Sequence, residues 1–493
     1  MILTAIFFFL ITFRLLFIVF NKKLFRFVSQ GPCGDATTYF YLIQFFRKNN
    51  CGVPDKRSLI TNLPVLVPAL YMKIVARLFS DKFLFRFQWV PNYLLFLFGS
   101  GIFCFIIQDF YLSGQGYFFL ISCVTLFISN PDNISFDDHR IQFLVLQPRY
   151  FAMLANSLFW LLFLTYDNSL FLDFVCIILL IVALNVSIFS RQSIFFTVLL
   201  FSIVSFSLHA LILMVISFLC SILLFRNEFW PSLLPQIKYS YGYYLSYYKP
   251  KKTNKIFRDF IAKIISRPFI NSYPYVPIVL FILFQFIHSS DFILFTHRLS
   301  SLNLALLIIF FSTAVRKFAF LGECWRYLSF NYYYIFPIYG SLYLVNLNIE
   351  FEYKSLILAL ILGFNVINVL INRRALFKNK TDSLKKLLER NNQSLQKAVW
   401  YGIPYRVSTM AVALGIGEKT SEYQYGNHSN EIHTEYFSQY PYLKWNTKII
   451  EDHKVTHILL EKEFKLQAQK ISGFSTANLK LVDENEYYSI FKI

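Results

Sequence analysis

Three polar stretches in an otherwise apolar chain hold residues that could do chemistry. The first is Gly31-Pro32-Cys33-Gly34-Asp35-Ala36-Thr37-Thr38-Tyr39-Phe40, in which one carboxylate follows a Gly/Pro breaker and precedes a helix-like run, Ala36 to Lys48. Asp35 suits a helix N-cap, accepting a backbone N–H near Thr37 or Thr38. Held still at a membrane surface, the same carboxylate is a candidate general base. The second stretch runs from Asn130 to Arg140 and on to Gln147-Pro148-Arg149-Tyr150. Its Asp137, Asp138 and His139 are candidate ligands for a divalent cation such as Mg or Mn; a solvated loop with a helix cap is the plainer account. Arg140 lies beside them, and Arg149 stands at the mouth of the next apolar run. The third is Phe320-Leu321-Gly322-Glu323-Cys324-Trp325-Arg326-Tyr327. Glu323 and Arg326 are spaced to pair on one helix face, and Arg326 with Tyr327 near a membrane boundary can instead hold a phosphate.

The elements that position these stretches follow from composition. Of 493 residues, 56% are hydrophobic and 20% aromatic, with a mean hydropathy of +0.48. Runs of about 18 or more nearly uncharged residues cross a bilayer, so the chain is expected to be a mainly α, polytopic transmembrane bundle of about ten spans. Expected spans are Ile2–Phe20, Val90–Ile107, Tyr117–Ser129, Tyr150–Tyr166, Leu170–Phe189, Ser193–Phe225, Tyr275–Phe295, Leu302–Val315, Tyr332–Val345 and Ser355–Ile371. Ser193–Phe225 is long enough for one tilted helix or for two short ones broken at Ser205–His209. His209 is then either an intramembrane site candidate or a hydrogen-bonded structural His.

In the first loop, Ala36–Lys48 and Pro64–Phe79 have the character of helices lying on the membrane, with Lys73 and Arg77 four residues apart and able to snorkel toward headgroups. The formal net charge of +19 is accounted for by Lys and Arg flanking the spans, so nucleic-acid binding is not expected. The loop from Arg226 to Pro274 is the most basic and by the positive-inside tendency should be cytoplasmic, opposite the Asp35 loop. Lys22, Lys23 and Arg26, directly after the first span, pull against that topology. The seven cysteines have no metal-ligand spacing. Cys104, Cys123, Cys176 and Cys220 suit buried hydrophobes, and Cys33 and Cys51 can pair if their loop faces an oxidising compartment.

After Arg373-Arg374 the composition changes. A polar helix, Thr381 to Gln396, and strand-like runs at His457–Leu460 and Tyr487–Phe491 predict a small soluble α/β domain over 381–493, following a membrane bundle over 1–375. That segment has neither GxGxxG nor a P-loop.

Taken together, the first span, the Asp-bearing loop with interfacial helices, the second loop ending in Arg149, the Glu323–Arg326–Tyr327 segment and the soluble tail resemble the GT-C class of membrane glycosyltransferases. The resemblance implies a polyprenyl-phosphate-linked sugar as donor and a glycan, lipid or protein as acceptor. It also implies inverting transfer of a hexose or pentose, with Asp35 as general base. Arg149, Arg326, Tyr327, Glu323, His139 and Arg140 would bind substrate, and a bacterial inner or plasma membrane is the expected location. Many members carry two acidic residues in the first loop, whereas Asp35 is followed by Ala36. In relatives that use a metal, acidic residues of both loops contribute, here Asp35 with Asp137 or Asp138; others need none. The main rival is a lipid-linked-sugar flippase or secondary transporter, which calls for Gly/Pro-interrupted spans and ionisable groups near mid-membrane. A polysaccharide polymerase or ligase and a non-enzymatic scaffold are further alternatives.

Overall fold

Apolar sequence does two opposite jobs in this chain, and the computed structural model separates them. It describes residues 31–32, 35–48, 69–110, 116–128, 146–166, 169–226, 228–230, 232–233, 293–314, 318, 321, 324–346, 349–372, 380–420, 450–451 and 454–493. In chain order the helices are α1 (Asp35–Lys48), α2 (Leu70–Leu78), α3 (Asp81–Arg86), α4 (Val90–Phe110), α5 (Gly116–Ile128), α6 (Pro148–Thr165), α7 (Leu170–Val186), α8 (Ile188–Ser205) and α9 (His209–Leu224). Then come α10 (Ile293–Ala314), α11 (Cys324–Tyr332), α12 (Ile335–Asn346) and α13 (Phe351–Asn372).

Two of these, over Val90–Gln108 and Ile188–Ser205, are long and apolar enough to cross a membrane, and shorter apolar helices include Leu170–Val186, His209–Leu224 and His297–Thr313. Length alone does not decide the matter, because a buried core helix passes the same test. The sidedness of the side chains decides it. Phe171, Phe174, Ile178, Ile212, Val215, Leu219 and Leu223 face outward, while Asn156, Asn185, Ser190, Ser193, Thr197, Ser217 and Asn331 are buried between helices. The interior is largely apolar, with these polar groups interlocked among buried Leu, Phe and Tyr. The large apolar side chains on the outer faces would be stranded in water and are matched to lipid. The chain is an integral membrane protein.

The expected long span from Ser193 to Phe225 is two helices. α8 stops at Phe206, whose left-handed backbone (φ 51°) lets the Ser207 N–H reach back to the Ser202 carbonyl at 3.2 Å. The chain then turns and α9 starts at His209, whose Nε2 lies 3.1 Å from Asp173 Oδ1. That pairing makes His209 a brace between α7 and α9.

Short connections force successive helices to alternate direction, so the bundle has two ends. α6 is 18 residues long, which places its termini roughly 27 Å apart. At its far end Arg298 Nη1 donates to the Phe163 and Tyr166 carbonyls, each at 3.4 Å, near His209 and Asp173. At the near end lie Arg149, the first-loop helices and the entrance to the basic loop. The described start of the basic loop bears on the topology expectation. Lys73 is ion-paired with Glu228, and Arg191 Nη1 donates to Ser232 Oγ at 3.1 Å. The chain leading into the basic loop is therefore at the same end as the Asp35 loop, not the opposite one; Lys238–Arg267 itself lies outside the described residues. Lys73 also does not snorkel. A carboxylate within reach is a better partner for its ammonium than headgroups, whereas Arg77 is exposed as expected.

Residues from 380 onward build a mixed sheet: β1 (Val399–Ile403), β2 (Lys419–Thr420), β3 (His457–Glu461), β4 (Lys480–Glu484) and β5 (Tyr488–Lys492), ordered β2-β1-β3-β5-β4. β1 pairs parallel with β2 and β3, and β5 pairs antiparallel with β3 and β4. Helices α14 (Thr381–Arg390), α15 (Asn392–Leu395), α16 (Tyr405–Ala413) and α17 (Lys465–Ser472) accompany it. Thr381, Leu384, Leu387 and Leu388 recur at helical spacing and are buried. The three leucines join the same hydrophobic core as Phe40, Phe85 and Met72 of the first loop. The sheet region is thus seated on the Asp35 end of the bundle.

Candidate functional site

Arg149 and Arg326 come from segments 177 positions apart and converge on one aromatic ring. The Arg326 guanidinium carbon stands 3.5 Å from the centroid of Phe189, and that of Arg149 stands 5.0 Å from it. Both arginines are buried. Each position has a local cause. Pro148 sits in the first turn of α6, where its fixed φ and missing N–H are tolerated, and Arg149 follows it directly. Phe189 lies in the first turn of α8, whose backbone N–H groups have no acceptor inside the helix and which carries the positive end of the helix dipole. Arg326 lies in the first turn of α11.

α11 is locked by Asn331, a residue that no motif in the sequence marks. Its Oδ1 accepts from Trp160 Nε1 at 2.8 Å, and its Nδ2 donates to Ser193 Oγ at 2.9 Å and to the Tyr327 carbonyl at 2.6 Å. Helices α6, α8 and α11 therefore meet in one buried amide. Alongside it, Ser157 Oγ accepts the Tyr334 N–H at 2.6 Å, Ser190 Oγ donates to Asn156 Oδ1 at 2.8 Å, and the Tyr150 and Tyr333 hydroxyls lie 3.1 Å apart. Tyr327, expected to bind substrate, is buried and its hydroxyl donates to the Leu321 carbonyl. It closes the chain onto α11.

In the backbone Asp35 is the first residue of α1, one position inside the helix and not at the N-cap expected before Ala36. The two residues leading into that helix are fixed from several sides, including Thr37 Oγ1, which donates to the Pro32 carbonyl at 3.4 Å. Gln88 Nε2 donates to the Gly31 carbonyl at 2.9 Å, and Thr381 Oγ1 donates to the Pro32 carbonyl at 3.0 Å. Gly31 has φ +100°, and a Cβ there would meet the Phe85 ring at 2.6 Å, so only glycine fits. Lys385 of α14 in turn lies over Phe85, 4.7 Å from the ring centroid. On the Arg149 side, Asn92 Nδ2 donates to the Gln147 carbonyl at 3.2 Å and its Oδ1 accepts the Tyr71 hydroxyl at 2.9 Å.

Asp137, Asp138, His139, Arg140 and Glu323 lie outside the described residues, as do Cys33 and Cys51. Among the described residues no three His, Cys, Asp or Glu side chains gather as a metal site. Cys104, Cys123 and Cys176 are buried and Cys220 is half-buried.

The arrangement sets two buried guanidinium groups against one aromatic ring at one end of the bundle. Two buried cations drawn to one ring repel each other, and an anion set against both relieves that repulsion. Their planar, multi-donor heads suit a phosphate better than ammonium groups would.

No family model matches the sequence, and no curated protein matches it. Among solved structures the chain is similar to the crystal structure of ArnT from Cupriavidus metallidurans bound to undecaprenyl phosphate. The identity is 8%, the alignment covers 98% of this chain and 97% of that one, and the TM-score is 0.48. So slight a likeness is no basis for assigning chemistry, which rests on the residues described above.

Proposed function

We propose that the chain is a membrane glycosyltransferase that takes its sugar from a polyprenyl-phosphate donor. The convergence of Arg149 and Arg326 on Phe189, at the end of the bundle where the Asp35 helix begins, carries this reading. The donor's lipid keeps its phosphate at the interface, so the groups acting on it must be displayed there. In the transfer, Asp35 takes the proton of the acceptor hydroxyl while that oxygen bonds to the anomeric carbon. The bond from this carbon to the phosphate oxygen breaks with inversion, and its electron pair goes to the phosphate. Arg149 and Arg326 stabilise the charge that develops there. Asp137 and Asp138 would supply ligands if a divalent cation takes part.

The transporter reading calls for ionisable groups near mid-membrane. The described bundle interior is instead interlocked through Asn, Ser, Thr and Trp, which favours the transferase reading. A glycan or lipid acceptor and a bacterial inner or plasma membrane complete the proposal.

The test is Asp35→Asn, assayed as polyprenyl phosphate released from polyprenyl-phosphoryl hexose and pentose donors in membranes holding the full chain. Turnover should fall at least about a hundredfold, with undecaprenyl phosphate binding and membrane insertion unchanged. Wild-type transfer by this variant would remove Asp35 as the base.

A further inference from the structure

The candidate base and the candidate phosphate-holding arginine come from different loops, so something must set the spacing between them. Gln88 occupies the turn before α4, and Asn92 lies in its first turn, four residues on. Both are fully buried. Residues four apart share a helix face, yet these two reach different arms. Gln88 holds the Gly31 carbonyl, four residues ahead of Asp35, at 2.9 Å. Asn92 holds the Gln147 carbonyl, two residues ahead of Arg149, at 3.2 Å.

Neither arm has much freedom at its anchor. Gly31 is wedged against the Phe85 ring in a backbone conformation only glycine adopts easily. Gln147 is buried and extended (φ −142°, ψ 133°) immediately before the proline that starts α6. The hold on its carbonyl therefore sets where α6 begins and where Arg149 emerges.

We propose that Gln88 and Asn92 are positioning residues for sugar transfer, two amides on one stub of chain that fix the Asp35 arm relative to the Arg149 arm. The inference rests on the transferase reading, and it divides the labour. Gln88 governs the base and hence turnover, whereas Asn92 governs the phosphate holder and hence donor affinity.

The experiment is steady-state transfer from a polyprenyl-phosphoryl sugar by the full chain, with undecaprenyl phosphate binding and thermal unfolding measured alongside. Gln88→Met keeps the volume and removes the donor; kcat should drop about ten- to a hundredfold while donor KM stays within about twofold. Asn92→Leu is made together with Tyr71→Phe, so that both polar partners leave at once. It should raise donor KM and the undecaprenyl phosphate Kd in parallel, by about tenfold. A merely structural role would move kcat, KM and stability together in both variants. Should Gln88→Met fail to accumulate, Gln88→Asn, one methylene too short to reach Gly31, carries the same expectation. In an Asp35→Asn background Gln88→Met should cost nothing further, because the group it positions is already gone. Normal kcat in the Gln88 variant, or unchanged donor binding in the Asn92 variant, overturns the inference. It does so without touching the transferase reading, which stands or falls with Asp35→Asn alone.

Discussion

The Arg326 guanidinium carbon lies closer to the Phe189 ring centroid, at 3.5 Å, than the Arg149 carbon does, at 5.0 Å. The ring is thus a shared floor for two cations, and it loads them unequally.

Removing that floor gives the first prediction. Phe189→Leu keeps apolar bulk but not the ring's quadrupole, which contributes about 0.5–2 kcal/mol per cation. The undecaprenyl phosphate Kd should rise about 2- to 30-fold for each arginine deprived of the ring. Arg326→Lys should bind less well than wild type, because an ammonium cannot reproduce the planar fork. Isothermal titration in nanodiscs measures both, and equal Kd values across the three proteins would make the ring incidental.

Asn331→Leu leaves the Trp160 indole N–H, Ser193 and the Tyr327 carbonyl without their shared partner. Each stranded buried group costs about 1–3 kcal/mol, so unfolding should move to clearly lower temperature. Because α11 carries Arg326, donor binding should weaken in the same variant. A melting curve and a Kd both at wild-type values would show that the amide holds nothing.

The two-ended topology is open to labelling in a background lacking the seven native cysteines. Arg77 is exposed, Lys386 is 74% exposed in the sheet region, and Phe206 is 96% exposed at the far end of α8. Arg77→Cys and Lys386→Cys should react with an impermeant maleimide from one face of the membrane, and Phe206→Cys only from the other. Labelling of Lys386→Cys and Phe206→Cys from one face would break the proposed alternation.

His457 supplies a pH prediction for the sheet. Burial, and to a lesser degree Lys492 across the ladder, holds its imidazole below the usual range. The unfolded chain then takes up a proton that the folded one resists as pH drops below about 6.5. The associated stability is complete above that value and is lost as pH falls through the depressed folded-state pKa. Amide exchange in β1 and β3 of the full chain, corrected for intrinsic rates, should quicken over that interval. His457→Gln should flatten the dependence, and an unchanged slope would assign the effect to another group.

Much of the framework was legible because apolar runs report themselves. The bounds of α4, α5, α7, α12 and α13 fall within a few residues of expectation, and the break at Ser205–His209 was marked by a polar interruption. A helix start beside Asp35 followed from its neighbours, and Arg149 stood out as a charge beside a proline. Gln88, Asn92 and Asn331 were not legible. A lone amide has no period, and its meaning lies in partners 55 to 171 positions away. Phe189 was one of 59 phenylalanines, singled out only by what stacks on it. Of the basic loop only the entrance is described, and its place was set by one carboxylate, Glu228, which no run of lysines and arginines announces.

The bond from Thr381 to Pro32 spans 349 positions, and it bears on the order of assembly. The ribosome delivers the arm ahead of Asp35 early and the hydroxyl that clasps it far later, after the bundle between them has been threaded into lipid. Until then the Pro32 carbonyl lacks that clasp, whatever else has already folded. The arm ahead of the proposed base is therefore held first by nearer neighbours, Thr37 and Gln88, and its last clasp is added only once Thr381 has been made.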